Sequence, residues 1–213
     1  PMRGPCPGHG MSVYTVVERH ELEAFLADYD VGPLLNYSGI TAGIENTNYF
    51  VTTVAGAYVL TLFEFTPASE LPFFLALIAH LAEHGVPSAH PRADRAGRYL
   101  RELNGRPAAL VMRLPGASVA QPEIAHCRAI GSAMARMHLA TLDFTPRRDN
   151  ERGAAWRAST ARVVAPRLDE ADAALLWEAV REFAEERFTG LPGGVIHADL
   201  FRDNALFEGQ RLT

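Results

Sequence analysis

Eight consecutive residues carry the clearest chemical signal: His197, Ala198, Asp199, Leu200, Phe201, Arg202, Asp203 and Asn204, directly after the apolar pair Val195 and Ile196. A carboxylate two residues after a histidine, with an amide five residues further on, suits phosphoryl transfer. That reaction asks little covalent help of a protein. It needs a carboxylate to orient and deprotonate an acceptor hydroxyl, and hard oxygen ligands for Mg²⁺. A loop leaving a short strand can aim Asp199 at the acceptor while Asn204 turns its amide oxygen toward the metal. His197 then braces the loop. The competing reading is a surface loop whose Asp and Asn residues make turns. The whole string after Val195 and Ile196 favours the kinase chemistry.

Elements must position that loop. Leu22, Phe25, Leu26 and Tyr29 form one stripe of a helix within 15–29. The runs 34–40, 49–54 and 58–63 are rich in strand formers and make a three-strand meander, with a Gly- and Asn-rich turn over 39–48. Ser69 is placed to cap a helix whose inner face carries Phe74, Leu75, Ile78, Leu81 and Ala82, and Gly85 and Pro87 end it. Asn104 and Gly105 between strand-like runs signal a hairpin. At Leu114, Pro115 and Gly116 the character changes. Helices are expected over 122–139, 154–164 and 172–188. The last is capped by Asp172 and carries a stripe of Leu175, Leu176, Ala179, Val180 and Phe183. Val195 and Ile196 read as a strand. The residues 205–207 and 211–213 read as a hairpin turning at Glu208 and Gly209. The fold class is α+β: two lobes, a small antiparallel sheet lobe over 11–112 and a mainly helical catalytic lobe over 113–213, with residues 1–10 a disordered extension.

Composition agrees with an ordinary globular enzyme. Of 213 residues, 48% are hydrophobic and 21% charged, and the net charge of −5 argues against a nucleic-acid partner. No run of ~18 apolar residues could span a membrane, and the first ten lack a signal-peptide core. Cys6 and Cys127 form no disulfide framework, Cys127 reads as a buried thiol, and a reducing cytoplasm fits. His80, His84 and His90 read as lacking metal-ligand company. Trp156 and Trp177 read as helix-packing residues, and Met134 and Met137 as core.

His197, Ala198, Asp199 and Leu200 with Asn204 resemble the catalytic loop of aminoglycoside phosphotransferases, choline kinases and their relatives, whose fold is protein-kinase-like. Ile130 and Gly131 through Met137 and His138 resemble the helix before that loop. Leu114, Pro115 and Gly116 resemble the interlobe linker. Within the group, four strings resemble bacterial homoserine kinases of the non-GHMP kind: Gly-Ile-Glu-Asn-Thr-Asn-Tyr-Phe at 43–50, Val-Leu-Thr-Leu-Phe-Glu at 59–64, Leu-Pro-Phe-Phe at 71–74, and the loop at 197–204.

The resemblance implies ATP and Mg²⁺ as cofactors and L-homoserine as the small-molecule partner. The product is O-phospho-L-homoserine, on the route to threonine. It implies a nucleotide loop over 39–48, with Gly39, Gly43, Asn46 and Asn48 near the phosphates, and adenine against Val111 and Arg113. Asp199 is the implied base, Asn204 a metal ligand, and Arg202 a partner for the substrate carboxylate. Choline, an aminoglycoside or a sugar are the alternative acceptors within the group. A nucleotide-binding remnant without activity is the non-enzyme alternative. Two departures stand out. Thr61 occupies the place of the usual phosphate-gripping lysine on the third strand, and Phe74 that of its glutamate partner. The family's second metal-binding Asp follows on a strand beyond Thr213, so a stretch ending there is expected to be truncated and inactive on its own.

Overall fold

The computed structural model describes residues 13–41, 45–184, 190–191 and 193–213. Two compact units form. One holds the residues up to Phe144 together with Ile196–Thr213, and the other is Thr145–Val195. The expected disordered extension over 1–10, with Cys6, lies outside the described residues.

The first unit is built on a five-stranded antiparallel sheet, β1 (Leu34–Ile40), β2 (Asn46–Thr53), β3 (Gly56–Phe63), β4 (Arg101–Leu103) and β5 (Arg106–Met112), in the order β1-β2-β3-β5-β4. Strict alternation fixes the register. Thr47, Tyr49, Val51 and Thr53 on β2 and Tyr58, Leu60 and Leu62 on β3 are buried. They pack with Leu22, Phe25 and Leu26 of α1 (Arg19–Leu26) and with Tyr29. Because side chains alternate with period two, the opposite face presents Asn46, Asn48, Phe50 and Thr61. Asn104 (φ 51°) and Gly105 (φ 71°) both take the left-handed region, the type I′ turn that an Asn-Gly pair favours.

Three expected helix details shift. Helix α2 (Leu71–Glu83) begins after Glu70, which caps without a side-chain bond. Pro72 in the first turn, with φ already preset, starts the helix in place of Ser69. Its buried residues are Leu71, Leu75, Ala79 and Leu81, while Ile78 and Ala82 are half-buried and Phe74 is exposed. Helix α3 (Ile124–Ala140) buries only His126 and Ala133; Met134 and Cys127 are exposed. In the second unit α4 (Ala154–Val164) and α5 (Glu170–Glu182) flank a short 3₁₀ turn. Asp169, and not Asp172, caps α5 by accepting the Asp172 N–H at 2.9 Å. The partly covered positions of α5 are Ala173, Leu176, Trp177 and Val180, one helical stripe, while Leu175 and Phe183 are exposed. Part of the 183–188 end of the expected helix lies outside the described residues.

One buried carboxylate holds the sheet's outer loop. The Asp94 side chain, 1% exposed, accepts the Arg98 N–H at 2.8 Å and the Ala96 N–H at 2.9 Å, and pairs with Arg101 at 2.7 Å. The Arg98 backbone bond, more than any other contact, brings its pKa down to about 2. The unfolded value is about 4, so the stabilisation is present above that pH and is lost as the pH falls through about 2. Thermal melts between pH 2 and 7 are expected to show a steep acid limb that Asp94→Asn flattens. An unchanged limb in that variant would contradict the assignment.

Candidate active site

The linker and the loop are tied together by backbone. Gly116 has φ 95°, and a Cβ there would sit 2.6 Å from the Phe207 carbonyl oxygen. Only glycine permits that approach. Beside it, the Ala117 N–H donates to the Phe207 carbonyl at 3.1 Å, and the Phe207 N–H donates to the Ala117 carbonyl at 2.9 Å. Phe207 opens β6 (Phe207–Glu208), which pairs with β7 (Arg211–Leu212) around Gly209 and Gln210. The hairpin therefore turns one residue later than the sequence suggests, because Glu208 pairs with Arg211.

A histidine that sequence reasoning missed seats this hairpin. His126 is buried; its Nδ1 accepts the Glu123 N–H at 3.0 Å, and its Nε2 lies 3.2 Å from the Gly209 carbonyl. Its ring meets Phe207 edge-on at 4.8 Å. Its position three residues past a helix-starting Glu123 was the available signal.

Val195 and Ile196 form no strand; no described strand pairs with them, and Ile196 is 65% exposed. The loop that follows is nevertheless ordered by its own bonds. Ala198 takes φ 61°, a conformation costly for a residue with a Cβ and frequent at functional sites. The Asp199 N–H points to His197 Nδ1 at 3.4 Å, within the same turn. Residues Arg202–Asn204 form a 3₁₀ turn. It brings the Asn204 amide nitrogen within 2.7 Å of the Asp199 carbonyl and 3.1 Å of its carboxylate Oδ2. Asn204 spends its donor end on Asp199, so its amide oxygen is left as an acceptor. An amide oxygen is a hard donor of the kind a divalent cation such as Mg²⁺ takes, and Asn204 fits such an ion as one ligand of a larger set. Arg202 Nη1 donates to the Ala120 carbonyl at 2.9 Å and does not pair with Asp203.

The expected nucleotide residues lie on the sheet. Gly39 sits in β1 opposite Tyr49, within a strand and not a loop, because β1 runs on to Ile40. Gly43 lies outside the described residues. Asn46 and Asn48 belong to β2. Asn48 Oδ1 accepts the Thr61 hydroxyl at 2.8 Å, so the position expected for a lysine is occupied by a neutral pair across the sheet. The chain has no lysine; all 20 of its Lys and Arg positions are arginine. Asn46 Oδ1 is buried with no hydrogen-bond partner among the described residues. An orphaned buried polar atom marks a place where a ligand, ion or water completes the bonding. Val111 pairs with Val59, the Arg113 N–H donates to the Ala57 carbonyl at 3.1 Å, and the Arg113 guanidinium lies over the Phe50 ring, 4.0 Å from its centroid.

Beside the 197–204 loop a cavity of about 340 Å³ is lined by Cys127, Ile130, Met134, Phe201, Arg202 and Phe207, among others. This explains why Cys127 and Met134 depart from the buried positions expected of them: the apolar stripe of α3 lines an open cavity there.

A five-stranded antiparallel sheet, a glycine linker, a helix and a His-x-Asp loop with Asn five residues on are the parts of a kinase-like fold. The Phosphotransferase enzyme family, APH, matches residues 36–213, and the chain belongs to that family. The homoserine kinase of Methylobacillus flagellatus is 53% identical over 203 residues, covering 95% of this chain and 63% of that protein. The homoserine kinase of a Janthinobacterium species is 44% identical over 207 residues, covering 95% and 64%. The chain thus spans a little under two thirds of the length of these relatives. Among solved structures, an amicoumacin kinase in complex with AMP-PNP and Ca²⁺ matches with a TM-score of 0.65 at 16% identity, covering 92% of this chain and 62% of that one. At that identity the likeness is one of fold. No described helix is long and apolar enough to cross a membrane.

Proposed function

We propose that the whole protein phosphorylates the side-chain hydroxyl of L-homoserine with ATP, forming O-phospho-L-homoserine and ADP. The observation that carries this reading is the Asp199–Asn204 hydrogen-bonded pair in a strained loop, in a chain so similar to homoserine kinases over nearly its whole length. The sheet lobe up to about Met112 holds the nucleotide, and the segment from Arg113 onward supplies the catalytic loop.

Asp199 is exposed and reachable by an acceptor. Its carboxylate accepts the homoserine hydroxyl proton as that oxygen forms its bond to the γ-phosphorus, and the bond to the β–γ bridging oxygen breaks. Asn204 holds Asp199 in place through its amide nitrogen, and its amide oxygen would serve as a ligand for Mg²⁺. When bound, Mg²⁺ neutralises charge on the phosphate oxygens. His197 keeps the loop in shape and takes no proton. Arg202 uses one donor on Ala120, and its remaining N–H groups suit the substrate carboxylate. The Gly39, Asn46 and Asn48 end of the sheet serves the phosphates together with Gly43, and the Val111 and Arg113 end serves adenine.

The test offers the whole protein ATP and Mg²⁺ with homoserine, choline, kanamycin or methylthioribose. Homoserine is expected to give the highest kcat/KM. A strong preference for another acceptor would overturn the substrate assignment and leave the phosphotransferase fold intact.

A further inference from the structure

Along the chain His80, His84 and His90 have no metal-binding company, but the fold supplies it for two of them. His80 lies in the last turn of α2 and His84, four residues on, is its C-cap, so both project from the same side of the helix end; their ring centroids are 4.0 Å apart. Asp143 follows the end of α3. Its carboxylate reaches both rings, Oδ1 to His80 Nε2 at 3.2 Å and Oδ2 to His84 Nε2 at 3.8 Å. One ligand atom from each residue lies within 4.8 Å of the others. His90, by contrast, faces Glu83 and the Pro91 carbonyl.

We propose that His80, His84 and Asp143 form a site for a first-row divalent metal ion, Zn²⁺ in particular, fastening α2 to the end of α3. Two imidazoles and one carboxylate are a ligand set zinc accepts, with water in the fourth position. The spacing agrees. Metal–ligand bonds of ~2 Å in a tetrahedron place neighbouring ligand atoms ~3.3 Å apart. His80 Nε2 lies 3.2 Å from Asp143 Oδ1 and His84 Nε2 3.8 Å from Oδ2, so a small turn of the carboxylate brings one oxygen to that edge from both rings.

The outer hydrogen bonds also fit. His84 Nδ1 lies 2.7 Å from the His80 backbone carbonyl, so it carries the proton and Nε2 presents its lone pair to the ion. His80 Nε2 lies 2.6 Å from the Ala140 carbonyl, a bond it makes as a donor. Metal binding moves that proton to Nδ1 and exchanges the carbonyl contact for the ion. Helix α2 precedes the linker at Gly116 and α3 follows it, so the ion bridges the two sides of the linker by side chains alone.

Calorimetric titration of the chelator-treated protein with ZnCl₂ is expected to show saturable one-to-one binding, and Co²⁺ a visible ligand-field spectrum. His84→Ala and Asp143→Asn, both at exposed positions, are expected to weaken Zn²⁺ binding at least ~10-fold and to abolish the Co²⁺ spectrum. His90→Ala leaves both unchanged. No saturable zinc binding by the parent, or equal affinity in His84→Ala and Asp143→Asn, would overturn the proposal. Because neither variant touches the catalytic loop, the outcome is independent of the kinase assignment.

Discussion

Asp199→Asn in the whole protein is expected to lower kcat by at least ~10²-fold, with ATP affinity retained. The substitution is nearly isosteric. Asn204 donates to the Asp199 backbone carbonyl as well as to its side chain, at 2.7 and 3.1 Å. Both bonds can persist with an amide oxygen as acceptor, so the loop keeps its shape. What disappears is the negative charge and, with it, the group proposed to take the acceptor's proton. Steady-state kinetics, with ATP affinity read separately from a fluorescent nucleotide, distinguishes this from general damage. Turnover close to that of the parent would remove Asp199 from the mechanism.

Gly116→Ala is expected to cost roughly 3 kcal/mol or more, because two penalties add. At φ 95° the alanine backbone is strained, and its Cβ would meet the Phe207 carbonyl oxygen at 2.6 Å and carbonyl carbon at 2.7 Å. Those are backbone atoms in a bonded bridge, so no side-chain rotation relieves the contact. Gly209 supplies the comparison. Its φ is 59° and a Cβ added there would meet no atom within 4 Å, so Gly209→Ala is expected to cost only the ~1–2 kcal/mol of a left-handed alanine. Denaturant midpoints of the two variants test the difference. Equal losses would mean that the close approach of linker and hairpin is not what Gly116 serves.

The sheet was legible because its signals are local. The strand-forming runs at 49–54 and 58–63 and the Asn104 and Gly105 pair define strands and turn without reference to anything distant, although β2 begins at Asn46, inside the turn expected over 39–48. The pairing within the 197–204 loop was legible for the same reason: Asp199 and Asn204 are close in sequence, and a 3₁₀ turn brings them together. Helix faces were less so. An apolar stripe such as Ile130 and Met134 shows which side of α3 is apolar, but not that a cavity adjoins it. Asp169 and Asp172 are both plausible caps, and the choice rests on which carboxylate reaches a free N–H. Least legible was the His80, His84 and Asp143 cluster, since α2 and the end of α3 meet only in the fold. The Asn48–Thr61 pair was hidden likewise, because it depends on cross-strand register.

If this chain carries the catalytic loop of a kinase acting on the homoserine hydroxyl, phosphorus NMR of the whole protein incubated with ATP, Mg²⁺ and L-homoserine shows it most directly. The expected result is a phosphomonoester signal coupled to the side-chain methylene protons, growing as ATP is consumed and missing with Asp199→Asn. ATP consumption that yields inorganic phosphate alone, or an equal phosphohomoserine signal from Asp199→Asn, would contradict that role.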